Sequence, residues 1–215
     1  MIVNDRITAY INSLDAANSD LLESIESDAR KDLVPIIRKE MENFLSVMLA
    51  LKQPRSILEV GTAVGYSAIY MSENMPEGCH ITTIENYKQR IEKARDNIQK
   101  AGKSDVITLI EGDAGDVLTT LPDSEFDFLF MDAAKGQYIN FLPQILRVMK
   151  KGALLISDNV LQEGDIIESH YAVARRNRTI HARMREYMYM LTHMEELVTS
   201  IVPIGDGITL SVRVR

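Results

Sequence analysis

Carboxylates follow two apolar runs in the second half of the chain. Asp132 comes directly after residues 126–131, and Asp158-Asn159 comes directly after residues 154–157. If these runs are neighbouring parallel strands, the three side chains meet at one edge of the sheet. Two carboxylates and an amide oxygen, without His or Cys, are a ligand set that favours Mg²⁺. The other interpretation, in which each Asp caps a following helix, stays open.

Lys135 stands three residues after Asp132. Beside a divalent cation, like-charge repulsion would favour the neutral amine of this lysine over its ammonium form. The neutral amine could then act as a general base on a substrate hydroxyl. For an isolated lysine, a solvated side chain at the start of a helix is the commoner interpretation.

A glycine turn joins an apolar run to a helix-like segment at residues 57–67. A P-loop needs Gly-Lys-Ser/Thr, which this turn lacks. A dinucleotide fingerprint needs a second glycine where Ala63 stands, so the turn makes no provision for a closely bound pyrophosphate. The remaining ligand class is a nucleoside without a pyrophosphate, as in S-adenosylmethionine. A purely structural turn is the alternative.

Two further strand ends carry residues that suit a nucleoside. Glu85 ends the run at residues 81–84, where a carboxylate can accept hydrogen bonds from ribose hydroxyls. Gly112-Asp113-Ala114 ends the next run, and its small residues and carboxylate could frame an adenine. An Asp at a strand end is common by itself, so the prediction depends on the three successive strand ends together.

The elements that would position these residues alternate between short apolar runs and longer helical patterns. This alternation is typical of βαβ units, which build a doubly wound parallel sheet that binds ligands at the carboxyl ends of its strands. Strands are predicted at residues 56–60, 80–85, 106–111, 126–131 and 152–157, and helices at residues 65–75, 87–101, 114–121 and 137–150.

The two ends of the chain depart from this alternation. We expect a helical N-terminal extension over residues 1–51, a core over residues 56–215, and one domain for the 215-residue chain. The extension has helices predicted at residues 3–14, 18–31 and 36–51. The C-terminal part has a helix predicted at residues 180–196 and an antiparallel strand pair at residues 198–204 and 207–214.

Composition limits the class of protein. The opening residues lack a basic segment followed by an apolar one, and no apolar run reaches membrane-spanning length, so we expect a cytoplasmic protein without a signal peptide or membrane contact. Cys79 is the single cysteine, so the chain has neither an internal disulfide nor zinc-ligand spacing. The formal net charge of −7 argues against nonspecific nucleic-acid binding, but it hides an arginine-rich segment at residues 171–190.

Together these motifs resemble the cation-dependent O-methyltransferases, which include the catechol and caffeoyl-CoA O-methyltransferases. The similarity covers roughly residues 34–215. One departure is Ala133-Ala134, which replaces bulkier residues of the catechol enzyme and changes the shape expected of the acceptor pocket. The matching motifs are Glu59-x-Gly61-x3-Gly65-Tyr66-Ser67, Glu85, Gly112-Asp113-Ala114, Asp132-Ala133-Ala134-Lys135 and Asp158-Asn159-Val160.

The resemblance implies a Rossmann-like class I methyltransferase fold, S-adenosylmethionine as donor, Mg²⁺ as cofactor and a homodimer. It implies that Lys135 is the catalytic base and that Asp132, Asp158 and Asn159 hold the metal. The cofactor-binding residues that it implies are Ile37, Glu59, Gly61, Ser67, Glu85, Asp113, Ala114 and Asp132.

Within this family, residues 175–187 and 203–207 resemble the bacterial tRNA 5-hydroxyuridine methyltransferases. This resemblance implies methylation of 5-hydroxyuridine at the tRNA wobble position to 5-methoxyuridine. A small catechol-like acceptor and a nucleoside-binding regulatory module without catalysis are the alternatives. The arginines could instead form a solvated or dimer-facing surface. The side chains expected to contact anticodon phosphates are Arg175, Arg176, Arg178 and Arg183.

Overall fold

One sheet organises the protein, and the computed structural model describes it within residues 3–215. Met1 and Ile2, on which the prediction of no signal peptide partly depends, lie outside the described residues. Among residues 3–215, no helix is long and apolar enough to cross a membrane. The strands are β1 (Ser56–Val60), β2 (His80–Glu85), β3 (Ile107–Glu111), β4 (Phe126–Met131), β5 (Met149–Ser157), β6 (Leu197–Val202) and β7 (Ile208–Arg213).

The strand order confirms the predicted doubly wound sheet. The order across the sheet is β3-β2-β1-β4-β5-β7-β6. The first five strands pair in parallel, while β7 is antiparallel to both β5 and β6. The chain order reverses between β1 and β4, and this reversal is where a sheet of this kind opens a crevice for ligands.

Helices cover both faces of the sheet. They are α1 (Asp5–Asn12), α2 (Asp20–Lys31), α3 (Lys39–Lys52), α4 (Tyr66–Asn74), α5 (Lys88–Lys100), α6 (Ala114–Thr120), α7 (Tyr138–Val148) and α8 (Arg178–His193). Short 3₁₀ segments at Lys135–Gln137, Gln162–Ile167 and Arg175–Asn177 complete the list of helical elements along residues 3–215.

Alternating strand residues divide the core into two clusters. Ile57 of β1 packs in a cluster with α2, α3 and α4, whereas its neighbour Leu58 packs in a second cluster with α6, α7 and α8. Side chains of a strand point alternately to opposite faces, so a strand buried on both faces reads as a continuous apolar run. The N-terminal helices α2 and α3 therefore share a hydrophobic core with the sheet.

Some boundaries differ from the sequence predictions. The helix predicted to begin at residue 36 begins at Lys39, because Arg38 has extended backbone angles and the residues before it run as an extended segment. This difference matters because it brings Ile37 to the edge of the ligand crevice. Strand β5 begins three residues earlier than predicted, at Met149, and α8 ends three residues earlier, at His193.

Backbone hydrogen bonds join the carboxyl ends of neighbouring strands. The Gly61 N–H donates to the Ile84 carbonyl at 3.0 Å, and the Gly112 N–H donates to the Glu85 carbonyl at 2.9 Å. On the other side, the N–H groups of Asp132 and Asp158 donate to the carbonyls of the preceding neighbour strands at 3.0 and 2.9 Å. The predicted site residues are therefore held on a rigid edge.

Candidate active site

A cavity of about 600 Å³ lies at the carboxyl ends of the parallel strands. Residues from the ends of β1, β2, β3, β4 and β5 form its walls, as expected for a doubly wound sheet. The predicted site residues that line it are Ile37, Gly61, Ser67, Glu85, Asp113, Ala114, Asp132, Lys135, Asp158 and Asn159.

Gly61 brings the first strand end into contact with the fourth. Its φ is +104°, and a Cβ atom at this position would lie 2.0 Å from the Asp132 carbonyl oxygen. Such a distance excludes any side chain, so only glycine allows the turn after β1 to pass this close to the end of β4. Gly65 then begins α4 with a φ of +84°. The N-terminus of that helix faces the cavity through Ser67.

Glu59 lies behind the wall of the cavity instead of lining it. The carboxylate is fully buried and accepts hydrogen bonds from the hydroxyls of Ser67 and Thr83. Burial raises the pKa of Glu59 to about 7, although both hydroxyls oppose this shift. In this geometry Glu59 orients Ser67, which lines the cavity.

Glu85 fixes the rim of the cavity beside the glycine turn. One carboxylate oxygen accepts the Ala63 N–H at 2.8 Å, and the other accepts the N–H groups of Asn86 and Tyr87 at 3.0 Å. These bonds tie the glycine turn to the end of β2 and hold the carboxylate at the cavity wall. Lone pairs of the same oxygens can still accept hydrogen bonds from a ligand's hydroxyls.

Asp113 caps α6 and also lines the cavity. Its carboxylate accepts the Gly115 N–H at 2.9 Å, which satisfies one of the unpaired donors of the first helical turn. Ala114 follows and offers only a methyl group to the cavity. The capping and ligand-binding interpretations of Asp113 are therefore compatible with each other.

Asp132, which is half-buried, and Asp158, which is buried, form an acidic pair at the other side of the cavity. Burial raises the pKa of both carboxyls, and repulsion from Asp132 raises the pKa of Asp158 further. Asn159 follows with a φ of +57°, and its N–H donates to the Asp158 carboxylate at 2.6 Å. Two negative charges close together are unfavourable where water solvates them poorly. The acidic pair therefore suits a bound cation.

The donor set fits Mg²⁺ better than a transition metal. Across the described part of the chain, no three His, Cys, Asp or Glu side chains are grouped as a metal site. The site would consist of two carboxylates and the Asn159 amide oxygen, with the remaining positions for water or substrate. Asp132, Asp158 and Asn159 all line the cavity, which leaves those positions open to it.

Lys135 begins the first 3₁₀ segment, as an ordinary helix-start lysine would. The residue lines the cavity, and its Nζ lies 3.3 Å from a carboxylate oxygen of Asp206. The segment is anchored by Arg183, whose guanidinium donates to the Gly136 carbonyl at 3.0 Å. Lys135 is therefore held on the same side of the cavity as the acidic pair.

The four predicted arginines lie outside the cavity wall. Arg183 holds Gly136, and Arg178 donates to the carbonyls of Val173 and Tyr171 at 3.2 and 3.1 Å. Arg175 and Arg176 are exposed, and neither side chain has a hydrogen bond or an ion pair with another residue between positions 3 and 215. The cluster thus divides into two arginines that stabilise loops and two that face solvent.

Sequence reasoning missed several residues of the cavity wall. Asp206 is only 4% exposed, and Tyr66 is buried with its hydroxyl donating to Glu42 at 2.8 Å. Arg38 also lines the cavity, from the extended segment before α3. The one local signal was the carboxylate of Asp206 between two glycines in a predicted hairpin, which is an unusual place for a buried acid.

The family described as O-methyltransferase matches residues 12–214. The chain belongs to this family. Among its relatives, the caffeoyl-CoA O-methyltransferase of Populus kitakamiensis is 33% identical over 172 residues, 78% of this chain and 73% of the relative. The catechol O-methyltransferase of Niastella koreensis is 29% identical over 171 residues, 77% of each protein.

Solved structures agree with the assignment of this chain to the O-methyltransferase family. The SAH-bound methyltransferase PaMTH1 of Podospora anserina matches with a TM-score of 0.87 at 25% identity, covering 98% of this chain and 94% of that one. An O-methyltransferase of Klebsiella pneumoniae matches with a TM-score of 0.86 at 26% identity, covering 98% and 97%.

We expect Gly61→Ala to disrupt this O-methyltransferase far more than an ordinary loop substitution. The methyl group would collide with the Asp132 carbonyl and separate the ends of β1 and β4. Gly78→Ala is a matched control, because Gly78 has a φ of +76° and open space around it. Conformational strain alone predicts a loss of about 1–2 kcal/mol for the control. The measurement is urea unfolding of both variants. Equal losses in the free energy of unfolding would contradict the close contact between Gly61 and the Asp132 carbonyl.

Proposed function

We propose that this protein transfers a methyl group from S-adenosylmethionine to a hydroxyl of an acceptor with two vicinal oxygens, with Mg²⁺ as cofactor. One observation carries the proposal. Gly61 joins a wall suited to a nucleoside directly to a wall that holds the acidic pair and a lysine. Donor and acceptor would therefore be held side by side, which converts a bimolecular step into an effectively unimolecular one.

The donor side has the features that S-adenosylmethionine requires. The glycine turn and the start of α4 suit the methionine end, Glu85 suits the ribose hydroxyls, and Asp113-Ala114 suits the adenine. Ile37 would cover the donor from the extended segment before α3. The bound product in the Podospora anserina structure supports this choice of ligand.

The acceptor side suits a hydroxyl beside a second oxygen. Mg²⁺ held by Asp132, Asp158 and Asn159 would acidify such a hydroxyl. Lys135 then takes the hydroxyl proton on Nζ, and the acceptor oxygen attacks the sulfonium methyl in line. The electron pair of the broken S–CH₃ bond stays on sulfur, so S-adenosylhomocysteine leaves uncharged at that atom.

We favour 5-hydroxyuridine in the tRNA wobble position as the acceptor. Its hydroxyl and the neighbouring C4 carbonyl oxygen are vicinal, as in a catechol. The exposed Arg175 and Arg176 supply positive charge for phosphates, and Tyr171 is 83% exposed and lies beside Arg178. Exposed aromatic rings beside arginines are typical of surfaces that stack unpaired RNA bases. A tRNA substrate would place the protein in the cytoplasm.

A small acceptor is the second candidate, because the two curated relatives described above are named for caffeoyl-CoA and catechol. Both candidates use the same donor side and the same acidic pair. They differ in whether the solvent-facing arginines take part in binding.

The test is methyl transfer from labelled S-adenosylmethionine to tRNA that contains 5-hydroxyuridine. We expect turnover that EDTA abolishes and that Asp132→Asn lowers by at least about 10- to 100-fold, because the metal loses a charged ligand and loss of even an outer-shell partner costs that much. Asp127→Asn is the matched control, since Asp127 lies near the start of β4, at the end away from Asp132, and its carboxylate accepts the backbone N–H groups of Arg55 and Ser56.

The results separate the competing functions. Full activity of Asp132→Asn in the presence of EDTA would exclude the role of the metal. Turnover of free catechols but not of tRNA would select the small acceptor. If calorimetry shows binding of S-adenosylhomocysteine but neither acceptor is turned over, the result would favour a nucleoside-binding regulatory module.

We expect Arg175→Gln/Arg176→Gln to raise the KM for tRNA several-fold while leaving the KM for S-adenosylmethionine unchanged. Loss of two phosphate contacts should also reduce the slope of log affinity against log salt by about two. The control is Arg55→Gln/Lys151→Gln, which removes two exposed positive charges at the opposite end of the strands. Equal effects of both pairs would show that net charge alone matters.

We also propose a homodimer. The outer face of α1 and the turn that follows it expose four apolar side chains, and on a monomer these would remain in water. These side chains are Ile7, Tyr10, Ile11 and Leu14, which are 44–68% exposed. We expect sedimentation at twice the chain mass of 24.3 kDa, and Ile11→Asp/Leu14→Asp to give monomers. A wild-type monomer at micromolar concentration would contradict the dimer.

A further inference from the structure

A buried carboxylate, Asp206, reaches the cavity from the turn between β6 and β7. Its side chain is 4% exposed, and one oxygen lies 3.3 Å from Nζ of Lys135. The other oxygen accepts the N–H of Glu163 from the loop after β5. One side chain therefore contacts two segments that are distant from it and from each other in sequence.

The backbone of the same turn fixes the position of this carboxylate. The Leu161 N–H donates to the Asp206 carbonyl, and the Val160 N–H donates to the Gly207 carbonyl, both at 2.9 Å. Gly207 has a φ of +78°, and a Cβ there would lie 2.2 Å from Cγ of Leu161. The turn and the loop are thus packed too closely for Asp206 to move independently.

The loop that holds Asp206 is conformationally strained. Asn159, Gln162 and Glu163 have φ values of +57°, +51° and +54°, which residues other than glycine rarely adopt. Such conformations persist only where the surroundings enforce them, and they cluster at functional sites. The hydrogen bond from Glu163 to Asp206 is one of the contacts that enforce this arrangement.

We propose that Asp206 is a positioning residue that holds the Lys135 side chain at the acceptor hydroxyl. This inference rests on the proposed function, in which Lys135 is the base. Lys135 has a long, partly exposed side chain with many accessible conformations, and its hydrogen bond to Asp206, which a neutral amine can donate as well as an ammonium, selects one of them. Because Asp206 is itself fixed on two sides, this hydrogen bond gives Nζ a defined position.

The same contact serves the proton transfer. When the hydroxyl O–H bond breaks, the proton forms a new N–H bond on Lys135 and the nitrogen becomes positively charged. The carboxylate of Asp206 stabilises that ammonium group, as a buried aspartate stabilises the imidazolium of a hydrolase triad. The proton then leaves to solvent.

Asp206→Asn isolates this role. The asparagine amide oxygen can still accept the Glu163 N–H, while the charge opposite Lys135 is lost. We expect kcat to fall about 10- to 100-fold, in line with the loss from a small displacement of a reacting group. The KM for S-adenosylmethionine should stay within about twofold, and hydrogen exchange at the Glu163 amide should stay protected. Asp32→Asn, which breaks the exposed pair between Asp32 and Lys93, should change none of these values.

The outcomes separate this inference from the function on which it rests. Wild-type kcat in Asp206→Asn, with an inactive Lys135→Met, would overturn the positioning role alone. Full activity of Lys135→Met would overturn the base and with it the proposed mechanism. Loss of protection at Glu163 together with kcat would show that Asp206 acts through the loop and not through Lys135.

If Asp206→Asn does not fold, Asp206→Glu tests the positioning role instead. It keeps the charge but moves the carboxylate by one methylene group. Positioning then predicts a lowered kcat with unchanged binding of S-adenosylhomocysteine by calorimetry, and an unchanged kcat would overturn it.

Discussion

The contact between Gly61 and the Asp132 carbonyl is the constraint on which the site depends. With 2.0 Å between a Cβ at position 61 and that oxygen, the ends of β1 and β4 touch through backbone alone. The donor wall belongs to the turn after β1, and the acidic wall begins at the end of β4. A larger residue would separate the two walls, and no rearrangement of side chains could bring them back, because interiors are close-packed.

A second constraint is the acidic charge gathered at this edge. Burial raises the pKa values of Glu59, Asp132 and Asp158. Their surroundings compensate differently. Hydroxyls of Ser67 and Thr83 satisfy Glu59, so it can serve as a structural support. The acidic pair has less compensation from protein groups and suits a cation, and this difference marks the pair as a candidate for the chemistry of the site.

The sheet and the donor wall could be predicted because their information is local. Strands β1, β2 and β4 have the predicted bounds, since a continuous apolar run between turn signals permits little else. Glu59 was expected among the cofactor-binding residues, but in the structure it is buried behind Ser67. The packing of the helices on the sheet decides this, and a local sequence pattern does not show it. Asp206 lies 71 residues from Lys135 along the chain, and no local pattern specifies that pairing.

This contrast explains why the acceptor is harder to infer than the donor. The donor wall is made of strand ends, whose positions follow from the hydrogen bonding of a parallel sheet. The acceptor wall is made of a 3₁₀ segment, a strained loop and a hairpin turn, joined by contacts such as those of Arg183 and Asp206. Small changes in these contacts would reshape the acceptor pocket while the donor wall stayed intact. The shape of the acceptor pocket can therefore differ between proteins that share the donor wall.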